Sequence, residues 1–468
     1  MLEGLEVSEI YKSTLERTVR IDSEFYAKDN LIAQKTLEEL NSKSITQYVK
    51  VSDGNHMSIS EHFVEKGIPY YRGGDIYNFF IEQVQNPLHI PKKVFEWKNM
   101  KRSHLNKGDV LISIVGAIIG NLSLVKTNED ATCSCKLAIL RPKSLSPELI
   151  AIFLKSKFGQ SQIQKFRRGT GQTGFILEDF DQILIPSFSN DYSSKIRDIV
   201  NSSFENLEIS LKKYSHAQSL LLKNLGLRDF EPSKEPVNIK NFKESFLGTG
   251  RLDAEYYQKK YEEYESLILS RKNTLIKDEY THVKTQAKKD KGGYNYIEIG
   301  DIDVGDGTNK SNYIITEDLP ANAKIIVQKG DIIISNVRPY RGAVSIINSD
   351  EKDIIVSGAF TVLRRNKKSI FNNEVLKVIL RTQIYKDWLL KFNVGTSYPV
   401  IKDDDVLNLP IPFIEETMQI QIAELVEESL RLKSESEKLL ELAKLAVEMA
   451  IEEGEEKATE FINRAMLT

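Results

Sequence analysis

Six stretches of this chain gather side chains that hydrogen-bond to flat polar targets. In the first half they are residues 52–56, 70–75 and 167–173. In the second half they are 284–296, 336–341 and 395–398. Arg72, Arg167, Arg168, Arg338 and Arg341 carry planar guanidinium forks that match the edge of a guanine. Asn55, Gln172, Asn295 and Asn336 carry the amide donor and acceptor that match an adenine. Lys288, Lys289, Lys291, Ser52, Thr170, Thr173, Thr396 and Ser397 suit phosphate oxygens. Asp53 adds an acceptor, and His56, Tyr71, Tyr294, Tyr340 and Tyr398 add aromatic groups. These residue types are those that read nucleic acid. Polar loops are also ordinary solvated turns, so composition alone leaves both readings open.

Other chemistries fare worse. The glycines at 169, 171 and 174 suggest a phosphate cradle, but the GxxxxGK[ST] spacing is missing and a helix precedes them where a strand belongs. Residues 301–312 begin like a calcium loop, yet Asp306 sits where the glycine belongs and Asn312 replaces the bidentate glutamate. Two cysteines and six scattered histidines argue against zinc. Cys133 and Cys135 fall on one face of a predicted strand and read as reduced thiols of a reducing compartment. Neither an Asn-Pro-Pro-aromatic motif nor a glycine-rich cofactor loop is present, nor a carboxylate–lysine cluster for phosphodiester cleavage, and nothing points to a triad. The expectation is no catalytic residue, no metal and no cofactor bound by this chain.

The elements that position these stretches occur twice. KGDVLISIVGAIIGNLSLV at 107–125 returns as KGDIIISNVRPYRGAVSII at 329–347, a strand, corner and strand. RIDSEFY at 20–26 returns as RLDAEYY at 251–257, and ATCSCKLAILRP at 131–142 as IIVSGAFTVLRR at 354–365. Gly169-Thr170 with DQILIP returns as Gly395-Thr396 with VLNLPIP. The offsets of 231, 222, 223 and 226 residues keep the order of elements, so the chain holds two tandem copies of one domain. The predicted division is residues 1–190 for the first globule, 191–236 for a long helix and linker, 237–414 for the second globule, and 415–468 for a second long helix and tail. Within the first globule the pattern predicts helices over 23–40 and 147–166, a strand in 47–56 and a closing strand over 182–185.

The two long helices, predicted over 193–225 and 415–452, share a heptad row of small residues. Ile196, Ser203, Ser210 and Ala217 match Ile422, Ser429, Ser436 and Ala443 in type and order. A larger apolar row flanks each. In the first helix it is Val200, Leu207, Tyr214 and Leu221, four positions on; in the second it is Leu425, Leu432, Leu439 and Ala446, three positions on. Heptad spacing with a small flank predicts a close antiparallel coiled coil of pseudo-two-fold symmetry; two separate amphipathic helices would also fit. At ~1.5 Å per residue each helix is roughly 50–57 Å long, a span suited to two sites on one duplex between one and two helical turns apart.

The net charge of −3 looks wrong for a nucleic-acid binder until it is located. Residues 415–460 hold 14 Glu against 5 Lys and Arg, while residues 1–414 hold 58 basic and 53 acidic side chains. The body is mildly basic and the acid lies on one terminal helix. Glu427, Glu428, Glu435 and Glu437 make that helix a candidate protein-docking face. The longest apolar run, 110–119, is too short to span a bilayer, and the first ten residues have no basic start, so a cytoplasmic protein without membrane attachment is expected.

The motifs KVSDGNH (50–56), IPYYRGGDI (68–76), KGDVLISIVG (107–116), RRGTGQ (167–172), ILIP (183–186), RLDAEYY, KGDIIISNVR, VGTSYP (394–399) and LPIP (409–412) together resemble the specificity subunit of type I restriction-modification systems over nearly the whole chain. The resemblance implies an α/β (α+β) fold with two tandem target-recognition domains. Each reads one half of a split double-stranded DNA site, and the helix pair serves as spacer and dock. It implies methyltransferase subunits and restriction/motor subunits as partners. S-adenosylmethionine, ATP and Mg would lie on those partners, in a DNA-methylating restriction system, and this subunit would be non-catalytic. A single-chain DNA-modifying enzyme and a duplicated protein-binding adaptor are the alternatives.

Overall fold

The computed structural model describes residues 7–15, 20–169, 174–395 and 397–467. It contains two compact units, one formed by Met1–Leu207 with Lys433–Thr468 and the other by Glu208–Leu432. The cut differs from the four-part division expected from sequence. It passes through both long helices, Asn190–Asn224 and Glu416–Glu453, so each unit owns part of each helix.

In the first unit a four-stranded antiparallel sheet runs in the order Val49–Asp53, Leu137–Pro142, Val110–Ser113, Leu122–Leu124. Val110–Ser113 is buried along its whole length, as its unbroken apolar run predicts. Its partner across the corner is set by Val110 opposite Leu124. A second sheet joins Leu88–Ile90, Ile68–Tyr71 and Thr132–Cys133, the last pair parallel. Strand Thr132–Cys133 ends before Cys135; Cys133 is buried and Cys135 is half-buried, both as free thiols. Lys43–Ser44 pairs with Leu184–Ile185 and closes the unit.

The helix predicted over 147–166 is two helices, Pro147–Lys155 and Lys157–Lys165. Ser156 divides them. Its hydroxyl donates to the Phe153 carbonyl (2.6 Å) and accepts from the Gly159 amide (3.3 Å), capping the second helix. A Cβ on Gly159 would lie 2.3 Å from the Phe153 carbonyl oxygen, so glycine permits the tight corner. The helix predicted from residue 23 begins later, at Lys28–Glu39, since 20–26 is occupied by an Arg–Asp latch described below.

The second unit repeats the plan. Its main sheet runs Tyr280–His282, Phe360–Arg365, Ile332–Ser335, Val344–Ile346. Its second sheet runs Asn312–Ile315, Gly293–Ile297, Ile354–Ser357, Ala323–Ile326, one strand wider than in the first unit. Asn273–Leu275 pairs with Pro410–Pro412 at the closure, and helices Asn373–Leu380 and Gln383–Leu390 repeat the broken pair.

Each unit packs its shares of the long helices into its own core. In the first, Ile196, Val200 and Leu207 meet Ala443, Ala446 and Val447. Ser203 donates to the Ser436 carbonyl (2.9 Å), and the two hydroxyls lie 2.9 Å apart. Ser189 contacts Glu455 in the same unit, so one helix ascends as the other descends. In the second, Tyr214, Ala217 and Leu221 meet Ile422 and Val426. Ser210 donates to the Ser429 carbonyl (2.7 Å) and Ser429 donates back to Ser210 (2.8 Å). Small residues at these positions let the backbones approach until a hydroxyl reaches the facing carbonyl.

The flanking row of the second helix needs correction. Leu425 and Leu439 are only half-buried, although Leu432 and Ala446 are buried. Val426 and Val447 are fully buried, so the seam takes the residue four positions after the small row, as in the first helix. Lys433 at the equivalent position hid that row in the sequence. The acidic tail also differs from expectation. It forms a helix, Glu455–Leu467, whose Ala458 and Ile462 enter the core of the first unit.

Candidate nucleic-acid interface

The repeated motifs with charged residues build frame. In the main sheet of the first unit, Arg141 donates from Nε and Nη2 to both oxygens of Asp109 (2.8 and 2.7 Å). In the second, Arg364 holds Asp331 at the same two distances. Both aspartates are 1% exposed, and each also accepts a backbone amide from the turn before it, Asn106 (2.8 Å) or Gln328 (2.9 Å). These hydrogen bonds raise the arginine pKa values still further.

The second repeated pair is a latch. Arg20 bonds Asp22 (2.7 and 3.0 Å) and reaches the carbonyls of Lys165 (3.5 Å) and Arg167 (3.4 Å), with its guanidinium 4.6 Å from the Phe25 ring. Arg251 bonds Asp253 (2.8 and 2.6 Å), donates to the Asn393 carbonyl (2.9 Å) and stacks on Tyr256. Hydrogen bonding to the arginine holds Asp22 and Asp253 below the usual carboxylate range. In each unit the latch thereby anchors the base of the loop that carries candidate contacts, after 167 or after 393.

Many first-unit candidates are occupied in shaping their own turns. Asp53 is 8% exposed, bridging Arg102 and His56 Nε2 (2.5 Å). Asn55 is 3% exposed, closing a turn through its amide to both backbone groups of Met57 (2.9 Å each). Tyr71 is 8% exposed, and burial pushes its hydroxyl up to about 12. Expected at the surface, these three instead belong to the packed frame. Arg72 is exposed but paired with Asp75 (3.0 Å). Ser52 is half-buried in its strand. Arg168 grips the buried Asp179 with both guanidinium nitrogens, and Asp179 in turn accepts the Ile176 amide (3.2 Å). Arg167 and His56 remain exposed. Thr170, Gln172 and Thr173 lie outside the described residues. Arg102, with a side chain 55% exposed, went unnoticed because no motif marks it.

In the second unit Tyr294 is 3% exposed and donates to Asp290 (3.3 Å), a further correction. Lys291 pairs with Asp353, Lys289 approaches the Pro320 carbonyl (3.4 Å), Asn295 donates to the Lys352 carbonyl (3.0 Å), and Lys288 is exposed. Asn336 is half-buried at the end of its strand. It donates to Asp403 (2.9 Å) and accepts from Thr361 (2.7 Å), which also bonds Asp403. His282 lies 3.6 Å from the same carboxylate, and burial lowers its pKa. Sequence reading missed His282, Thr361 and Asp403, which sit far apart in the chain. Arg338, Tyr340, Arg341, Ser397 and Tyr398 lie together on two adjoining loops, bridged where Val337 pairs with Val400. Tyr340, Arg341, Ser397 and Tyr398 are exposed, and Arg338 is half-buried; Thr396 is outside the described residues.

Residues 273–445, covering most of the second unit, match the sequence profile of the type I restriction modification DNA specificity domain. Over that span the chain is similar to the DNA specificity domain of type I restriction-modification systems. It is 22% identical over 319 residues to the type I restriction enzyme MjaVIII specificity subunit of Methanocaldococcus jannaschii, covering 67% of this chain and 70% of that one. It is 27% identical over 112 residues to the HindI specificity subunit of Haemophilus influenzae, 24% of each chain. A solved S subunit from M. genitalium is similar at 14% identity and TM-score 0.42, over 88% of this chain and 94% of that one. No described helix of the chain is long and apolar enough to cross a membrane.

Proposed function

We propose that this chain is the DNA-reading subunit of a type I restriction-modification complex, carrying sequence recognition for methyltransferase and restriction/motor partners. The observation that carries this reading is duplication: two units with the same main-sheet strand order, each with an arginine–aspartate latch at the base of a loop that carries candidate contacts. Base readout needs such groups on a frame that does not yield. Each unit reads one half of a bipartite double-stranded site. The chain is non-catalytic, and S-adenosylmethionine, ATP and Mg are held by the partners.

The two long helices form an antiparallel spacer and docking surface in this reading. Support comes from the serine pairs, Ser203 with Ser436 in one unit and Ser210 with Ser429 in the other. Glu428, part of the acidic face, already pairs with Lys213 (2.7 Å), which leaves Glu427 and Glu437 as the more exposed docking candidates.

The test is exchange. Residues 45–186 of a relative with a different site are transplanted, the complex is assembled with its methyltransferase partner, and methylated bases are mapped. One half of the site should change and the other stay. A change in both halves, or methylation by this chain without partners, refutes the reading.

A further inference from the structure

The turn that follows the central strand of the main sheet differs between the units in one residue that its backbone does not favour. In the first unit the turn position is Gly116, with φ +89°. The matching position in the second unit, 222 residues on, is Arg338, with φ +51° and ψ +55°. The match is fixed by structure as well as by sequence: Val115 bridges Gly174 in one unit, and Val337 bridges Val400 in the other. A left-handed conformation suits glycine and costs other residues, so non-glycine residues hold it where the surroundings impose it, often at functional sites.

The surroundings here impose it. The Arg338 amide donates to the Pro399 carbonyl (2.8 Å), and the Arg338 carbonyl accepts from the Arg341 amide (2.9 Å). The turn ends at Gly342, whose carbonyl is held by the buried Arg381 (2.8 Å), itself bonded to Tyr214 (2.7 Å) and the Val304 carbonyl (2.8 Å). The result is a rigid mount for one side chain. The Arg338 guanidinium lies 5.6 Å from the ring of Tyr398 and finds no hydrogen-bond or carboxylate partner among the described residues. The arginines at the sheet and loop bases, 20, 141, 168, 251, 364 and 381, are all spent on carboxylates, carbonyls or a phenol.

We infer that Arg338 is a base-reading arginine of the second unit, its fork lying over the ring of Tyr398 and directed to the O6 and N7 of a guanine in that unit's half-site. The inference rests on the DNA-reading function proposed above. A guanidinium laid on an aromatic face keeps its donor edge free, and that edge matches guanine in the major groove. Tyr398 acts as a positioning residue, setting the plane of the fork.

Arg338→Gly is the test, because glycine accepts the same backbone and removes only the side chain. The variant chain, assembled with its methyltransferase partner, is given a DNA library randomised across the recognised site with S-adenosylmethionine, and methylated molecules are sequenced. The expected result is loss of guanine preference at one position of one half-site, by roughly 5- to 150-fold, with the other half unchanged. Tyr398→Leu should blunt the preference at that same position by a smaller factor. Uniformly weaker methylation with every base preference intact, and a salt slope reduced by about one, would make Arg338 a phosphate contact and overturn the inference. So would unchanged preferences in the variant. If the wild-type complex itself selects no two-part site, the proposed function fails instead.

Discussion

The two units use the same chemistry below the sheet surface and different chemistry above it. Asp109 with Arg141 and Asp331 with Arg364 are superposable in role: the same atoms, the same distances, the same capped turn. The Arg20 and Arg251 latches repeat in the same way. Where the strands end, the likeness stops. Ile114 and Ala138 are apolar where Asn336 and Thr361 bond Asp403, and Gly116 stands where Arg338 projects. Duplication kept the residues that hold a loop still and varied the residues the loop presents. The proposed reading of a two-part site would draw on that division.

The strongest way to break this comparison is to remove one frame arginine at a time. Arg364→Ala leaves the Asp331 carboxylate buried with only the Gln328 amide for company, and Arg141→Ala does the same to Asp109. Stranding a buried charge costs about 3–5 kcal/mol, and the lower end applies because each arginine side chain is about 40% exposed and water partly replaces it. Hydrogen exchange on the full chain should show each loss confined to the sheet of its own unit. Equal loosening of both units by either substitution would contradict two independent frames.

A second test exchanges the turn residues. Gly116→Ala places a Cβ on a backbone at φ +89° and should destabilise the first unit by about 1–2 kcal/mol, although the space around it is open. Arg338→Gly should leave the second unit unchanged or steadier by up to about 1 kcal/mol. Denaturant unfolding resolved by unit checks both signs. If Arg338→Gly destabilises instead, the side chain contributes packing that outweighs its strain.

Much of the frame was legible in the sequence because repetition supplied an internal control. The motif around Asp109 could be read against its copy around Asp331, and shared glycines and apolar runs marked strands and corners. The small heptad rows were legible for the same reason. The companion row of the second helix was not, because Lys433 interrupts Val426, Leu440 and Val447 and a run of leucines one position earlier offers a false alternative. The split at Ser156 was hidden too, since 147–166 keeps helical spacing through a serine whose capping role only geometry reveals. The site was less legible than the frame. Residue type proposed Tyr71, Tyr294, Asn55 and Arg168 as freely as Arg338, but only burial and partner atoms separate a tyrosine in the core, or an arginine tied to Asp179, from one facing outward. The cluster of His282, Thr361 and Asp403 left no local trace, its members being contributed by three separate elements.

That cluster supplies the finest test of the comparison. Val51 in the first unit and His282 in the second occupy one register position, opposite Leu140 and Leu363. Burial lowers the His282 pKa from the ordinary 6.5, with Lys284 adding to the shift and Asp403 and Asp404 opposing it. The folded second unit therefore binds fewer protons than the unfolded chain in the interval between the lowered value and 6.5. Stability must fall as pH drops through that interval and is fully present above it. The first unit, with valine there, has no such contribution from this position. The change is the smallest of the three, since the imidazole is only partly withdrawn from solvent. His282→Gln should flatten the difference in second-unit stability between pH 7.5 and pH 5.5, measured by hydrogen exchange on the full chain, and leave the first unit's pH response as it was. A slope that survives the substitution would mean that other groups govern the acid response, and that the two units differ above their sheets in shape alone.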